Sequence, residues 1–257
     1  MIHLFSYVGC VFIGFLECIG QITIFTIISI YHCFSPPIYY RLIGRQLLEI
    51  GYFSLPVVGL TALFTGMVLA LQSHDGFTFQ AENMVATVVS LSITRELGPV
   101  LTGLMVAGRI GGSIAAEIST MRVTEQIEAI ITLYTNPYKY LVVPRLIAGT
   151  LMLPCLVLVA DIIGIFGGFL VGSYQLNYNS TTYIRSTLEL LKPIDILSGL
   201  TKASVFGFVI SLISCYTGYN SNGGAHGVGK ATTNAVVLIS ILILTFNYII
   251  TALFFSK

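Results

Sequence analysis

The chain has 257 residues, of which 55% are hydrophobic and only 9% charged, with 12 basic residues against 11 acidic ones. A soluble domain carries about 25% charged residues, so most of this chain cannot face water, and the composition is that of an all-α integral membrane protein. The near-neutral balance leaves no basic surface for nucleic acid.

Cys10, Cys18, Cys33, Cys155 and Cys215 are odd in number, form no C-x-x-C pair and mostly sit in apolar runs. They read as small buried hydrophobes rather than as metal ligands or a disulfide frame. His3, His32, His74 and His226 are scattered, so no metal site is expected. The start, MIHLF, lacks the basic region of a cleaved signal peptide.

Crossing about 30 Å of hydrocarbon takes roughly 20 apolar residues. Leu4 to Ile30 is long and apolar enough, yet it contains Glu17 and runs into Ser35, Pro36 and Pro37. Hydropathy leaves open whether it crosses or lies in the interface. Five clearer spans follow: Phe53 to Leu71, Ala86 to Ile118, Leu146 to Leu170 with Asp161 inside it, Leu197 to Tyr219 with Lys202 near its start, and Val236 to Phe255.

The second span carries Arg95 and Glu96, next to an uncharged run from Leu97 to Gly108. Charges are expensive in a bilayer, so this pair needs a water-filled cavity or a function. Further along, Gly103, Ala107, Gly111 and Ala115 recur every fourth residue, and Gly108 with Gly112 forms a G-x-x-x-G. Such stripes let helix backbones approach closely, and packing within the chain is the expected use.

After the second span the sequence predicts a short amphipathic helix. Thr124 is placed to cap it, Glu125 and Glu128 complement the positive end of its dipole, and Asn136-Pro137 stops it. Ile127, Ile130, Ile131 and Tyr134 then share one face, opposite Glu125, Gln126 and Glu128. Such a helix either lies on the membrane surface or enters a partner's groove.

With the segment before the first span inside, the cytoplasmic side holds Arg41, Arg45, Arg122, Lys139, Arg145 and Lys230, against Arg185, Lys192 and Lys257 outside. The excess of basic residues inside favours this orientation. Between the last two spans, Gly224 to Lys230 fits the G-x-x-x-x-G-K core of a phosphate-binding loop, but Ala231 stands where a Ser or Thr would hold magnesium. A phosphate loop also needs a preceding strand, so nucleotide binding by this chain is not expected.

The run RELGPVLTGLMVAGRIGGSIAAEISTMRVTEQIEAI resembles the signature stretch of the MlaE-type permease family. These are membrane subunits of ABC transporters that move phospholipids between membranes with MCE-domain proteins. GMVLALQ, NPYKYLVVPRLIAG, IFGGFLVG and GAHGVGKATTNAVV agree with the family in order, and the resemblance covers about Tyr40 to the C-terminus.

The resemblance implies residues 1–39 as an interfacial elbow helix and 40–257 as a five-span permease domain that pairs into a homodimer around a lipid-accessible cavity. It implies that the helix carrying Arg122, Thr124, Glu125, Gln126 and Glu128 is a coupling helix seated on a separate ABC ATPase, which would hold ATP and magnesium. A small STAS-domain regulator and an MCE-domain protein are further implied partners. Arg95, Glu96 and Lys202 match positions where the family also carries charge, whereas Asn247 stands where the family commonly shows Asp. The cavity set is therefore Arg95, Glu96, Lys202 and Asn247, with Arg95 and Lys202 attracting a head group and Glu96 orienting Arg95 or setting the pocket's polarity. The same charges also suit snorkelling to the outer interface or structural pairing. A bacterial inner membrane is expected before a plastid inner envelope.

Two other classes stay open. An intramembrane enzyme needs a nucleophile and base or a metal set, and no H-E-x-x-H or G-x-S-x-G occurs. An ion-coupled carrier would use carboxylates such as Glu96 and Asp161 and show two repeated halves, and no repeat is visible.

Overall fold

The computed structural model describes residues 2–37, 39–76 and 81–255, and all regular secondary structure among them is helical. Lipid offers the backbone no hydrogen-bond partner, and a helix closes its own. α1 (Ile2–Phe34), α2 (Tyr40–Ile50) and α3 (Leu55–Gly76) lead into a long rod made of α4 (Ala81–Ser92), α5 (Gly98–Val106) and α6 (Gly112–Val123). Then come α7 (Gln126–Thr132), α8 (Val143–Tyr174), α9 (Ser180–Leu190), α10 (Pro193–Tyr219) and α11 (Gly224–Phe255). Six segments are long and apolar enough to cross a membrane: Phe12–Phe34, Tyr40–Gly76, Met84–Val123, Tyr138–Tyr174, Pro193–Tyr219 and Gly224–Phe255. The last five carry the expected spans.

α8 packs between α3 and α10, and α10 in turn meets α6 and α11. Glycine makes the first contact possible: a Cβ on Gly66 would lie 1.9 Å from the carbonyl oxygen of Gly164, and one on Gly167 would lie 2.4 Å from that of Leu63. Where lipid gives helices no hydrophobic reason to associate, such backbone approach supplies the dispersion contacts. The outer faces carry Phe64, Leu151, Ile162 and Ile241, all exposed, as a lipid-facing surface requires.

The N-terminal helix α1 precedes the five spans, and a second, strongly amphipathic helix, α2, leads into the first of them. Several local expectations are corrected. Gly224 to Lys230 forms the first turns of α11 rather than a connection, and a continuous helix cannot wrap a phosphate. Arg145 is not a loop cation: it lies inside α8, 4% exposed. The inward excess of basic residues loses that member, while Lys257 lies outside the described residues. Of the cysteines, Cys215 is buried but Cys18 and Cys155 face outward. In a membrane protein an apolar run has lipid-facing as well as core-facing positions. The side chain of Cys10 lies outside those described.

Thr124 does not start the amphipathic helix. It ends α6, its hydroxyl donating back to the Thr120 carbonyl, and the turn into α7 is made by Glu125 in the left-handed region at φ 57°. α7 stops at Thr132, before Asn136-Pro137, and Tyr134 also has φ 57°. The expected apolar face is therefore split: Ile127 is fully buried against the bundle, while Ile131, Leu133 and Tyr134 are exposed.

Candidate functional site

The charges of the second span sit where its rod changes winding. Ile93–Leu97 and Ala107–Gly111 are π-helical turns, the first holding Arg95 and Glu96, the second Arg109. A π turn inserts a residue into the α register, re-aims its side chains, and is frequent at functional sites.

Arg95 and Glu96 diverge from that turn into two ion pairs. The Arg95 Nε donates to Asp195 Oδ1 at 2.8 Å and Nη2 lies 2.7 Å from the same oxygen. Its guanidinium carbon also stands 4.4 Å from the centre of the Phe255 ring, a cation–π contact. Glu96 receives Lys202 Nζ at 2.9 Å and Thr251 Oγ1 at 3.0 Å on Oε1, and Asn247 Nδ2 at 2.9 Å on Oε2. Lys202 also donates to the Arg95 carbonyl at 2.7 Å.

The second span, α10 and α11 thus meet in one cluster of two cations and two carboxylates. Its charges cancel, which is what allows Lys202 to sit about 14 Å along α10 from Pro193. Lys202 and Asp195 are fully buried, whereas the side chains of Arg95 and Glu96 are 34% and 39% exposed. Lys202 therefore neither snorkels nor offers its ammonium to a surface, and Glu96 orients Lys202 rather than Arg95. The partner of Lys202 is Glu96, and the Asn247 amide donates to the same carboxylate. Asn247 Oδ1 is buried without a partner.

Three members of this cluster escaped sequence reasoning. Asp195 also accepts the Lys192 backbone N–H at 3.1 Å, the signature of a carboxylate in the first turn of a helix that opens Lys192-Pro193, and that signal was available. Thr251 follows Asn247 by four residues and shares its helix face. Phe255 had no signal, because its role depends on α11 ending beside Arg95.

The remaining expected residues are dispersed. Gly103 faces Phe206 and Ile243, Gly111 faces Ile239 and Ser214, and Gly112 faces Val236, so this part of the stripe seats α10 and α11. Ala107 is fully buried. Gly108 is different: a Cβ there would meet nothing within 4 Å. Arg109, beside it, is exposed and donates to Ser54 Oγ at 2.8 Å. Asp161 is buried in α8 with Oδ1 unpartnered. On the α6–α7 corner, Arg122 pairs with Glu128 and stands 5.7 Å from the Tyr219 ring, while Thr124, Glu125 and Gln126 are exposed. Glu128 therefore fastens α7 to its own chain.

Among the described residues no three His, Cys, Asp or Glu side chains converge to hold a metal ion. A bundle of apolar helices with a neutralised charge cluster within it and an exposed apolar tip between two spans has the architecture of a multi-pass permease. A family model described as permease MlaE matches residues 43–253. The chain belongs to the MlaE family of ABC transporter permeases. It is 62% identical to a probable ABC transporter permease protein of Rickettsia prowazekii, over 95% of each chain. It is 42% identical to a probable ABC transporter permease protein of Synechocystis, over 82% of this chain and 81% of that one. It is also 38% identical to protein trigalactosyldiacylglycerol 1, chloroplastic, of Arabidopsis thaliana, over 85% of this chain and 63% of that one.

Proposed function

We propose that the chain is the membrane subunit of a transporter that moves phospholipids between membranes, energised by a separate ATPase that binds ATP and magnesium. The observation that carries this reading is the tip formed by Ile131, Leu133 and Tyr134, exposed apolar side chains on a corner braced by the Arg122–Glu128 pair. A rigid apolar tip between two spans suits a partner's groove. α7 is then the coupling element, its tip rather than its acidic face making the contact.

Arg95 supports a lipid as cargo. Its guanidinium is partly exposed at the edge of an apolar bundle, already neutralised by Asp195, and free to add a phosphate oxygen. A relative named for trigalactosyldiacylglycerol supports a lipid of some kind as cargo. The unit at work is a homodimer, its two copies enclosing the lipid path beside Gly108 and Arg109, with an MCE-domain protein outside and an optional STAS-domain regulator inside. The chain sits in a bacterial inner membrane with α7 cytoplasmic and α9 outside, residues 40–257 forming the permease domain.

The test is lipid transfer by the complex reconstituted in vesicles. Transfer is expected only with the ATPase and hydrolysable ATP present. Transfer driven by an ion gradient without the ATPase would make the chain a secondary carrier and overturn this reading.

A further inference from the structure

Away from the charge cluster, α2, α6 and the start of α8 enclose a polar cleft of about 220 Å³. Its walls carry Arg45, Glu49, Glu117, Tyr140 and Arg145. Arg145 is 4% exposed and only partly satisfied: Nη2 lies 2.8 Å from Glu117 Oε2 and Nη1 donates to the Leu141 carbonyl at 2.9 Å, but its buried Nε has no acceptor. Arg45 is exposed and, among the described residues, makes no ion pair. Glu49 receives only a long contact of 3.5 Å from Gln46, and the Glu117 side chain is 51% exposed.

The cleft therefore presents two guanidinium groups with donors to spare and two carboxylates with acceptors to spare. Its charges balance, so a simple anion would face the carboxylates and a simple cation the guanidiniums. A zwitterion satisfies both. The neighbourhood is that of a membrane surface: α2 is amphipathic, and Leu48, Tyr52 and Phe53 project exposed from its end. On its other flank an apolar groove of about 350 Å³ runs along α8 between Leu48 and Met152. At about 30 Å³ per water, the cleft has room for several waters or one small head group.

We infer that this cleft binds a zwitterionic phosphoester head group carrying a primary ammonium, its phosphate on Arg45 and the Arg145 guanidinium, its ammonium on Glu49 and Glu117. The site is separate from the Arg95 cluster, and its occupancy does not depend on the transport reading.

The test uses the purified complex and native mass spectrometry, with phosphatidylethanolamine and phosphatidylglycerol offered at equal concentration. The wild type is expected to retain the ethanolamine lipid roughly fivefold better, the scale of one partly exposed charge pair. Glu49→Gln should bring the two lipids level, and Arg45→Gln should weaken retention of both; each changes a side chain at the mouth and spares buried Arg145. Soluble glycerophosphoethanolamine distinguishes the source: displacement of the lipid at matched concentration identifies a free phosphoester as sufficient, and retention identifies the lipid. Equal retention by the wild type, or a preference unchanged in Glu49→Gln, overturns the inference, as it would if a partner subunit fills the cleft. Lipid transfer measured on the same variants reports on the transport reading independently.

Discussion

Lys202, in the third turn of α10, holds its ammonium 2.9 Å from Glu96 Oε1 with none of its side chain reaching solvent. The pair ties α10 to the second span. Asn247 and Thr251 then tie both to α11 through the same carboxylate. Three helices share one acceptor group, so its loss should be felt in assembly before it is felt in transport.

Removing Lys202 leaves the Glu96 carboxylate, 39% exposed, with only Asn247 and Thr251 as donors, at a cost of about 1–3 kcal/mol. Lys202→Met should lower the thermal midpoint and yield of the detergent-solubilised chain. The double variant Lys202→Met with Glu96→Gln should recover a large part of that loss, because neither charge is then stranded. A double variant as unstable as the sum of the singles would show that the two side chains do not act as a pair.

Arg95 is the member of the cluster with exposure to spare. Arg95→Gln strands the fully buried Asp195 and should lower the amount of assembled complex, and it should lower lipid transfer further still, because the partly exposed guanidinium is lost as well. Asp195→Ala is expected to reduce both, because it strands Arg95 and uncaps α10. Wild-type transfer by Arg95→Gln would leave that side chain a purely structural role.

Backbone proximity makes a sharp prediction for glycine. Gly66→Ala would force a methyl within 1.9 Å of the Gly164 oxygen, pushing α3 from α8 at a cost of about 1–3 kcal/mol or more. Gly108→Ala, with open space around it, should leave the fold intact. If Gly108→Ala nevertheless disrupts dimers in crosslinking, that open face is where the copies meet. Equal melting temperatures for Gly66→Ala and wild type would refute the close α3–α8 contact.

For coupling, Leu133→Glu together with Tyr134→Glu should reduce copurification of the ATPase without changing the amount of permease in the membrane. Both side chains are exposed and make no core contact, so the chain has no reason to unfold. Undiminished assembly and ATP turnover would remove α7 as the docking element.

Topology can be read with single cysteines in a cysteine-free background. One at Gln175 should react with an impermeant thiol reagent from outside, and one at Thr132 should react only after the membrane is opened. Both positions are exposed and have backbone angles a cysteine adopts freely. The reverse pattern would invert the orientation.

The sequence by itself determined the class of protein, the five main spans, the family and the charged positions Arg95, Glu96 and Lys202. These follow from composition, run length and residue order, which need no knowledge of neighbours. It was less able to place helix ends: Thr124 and Gly224 carry signals that serve a cap or a turn equally well, and the chain around them decided. Only the tertiary structure decided which charge meets which. Arg95 pairs with Asp195 and Glu96 with Lys202, across 100 and 106 residues, because a π turn aims two neighbours at different turns of one partner helix, α10. Likewise Arg145, a loop cation by hydropathy, became a buried guanidinium beside Glu117, since the stretch before Val143 winds into the helix and carries it inside. Long-range pairing depends on the rotation of whole helices about their axes, and hydropathy along one chain does not encode that rotation.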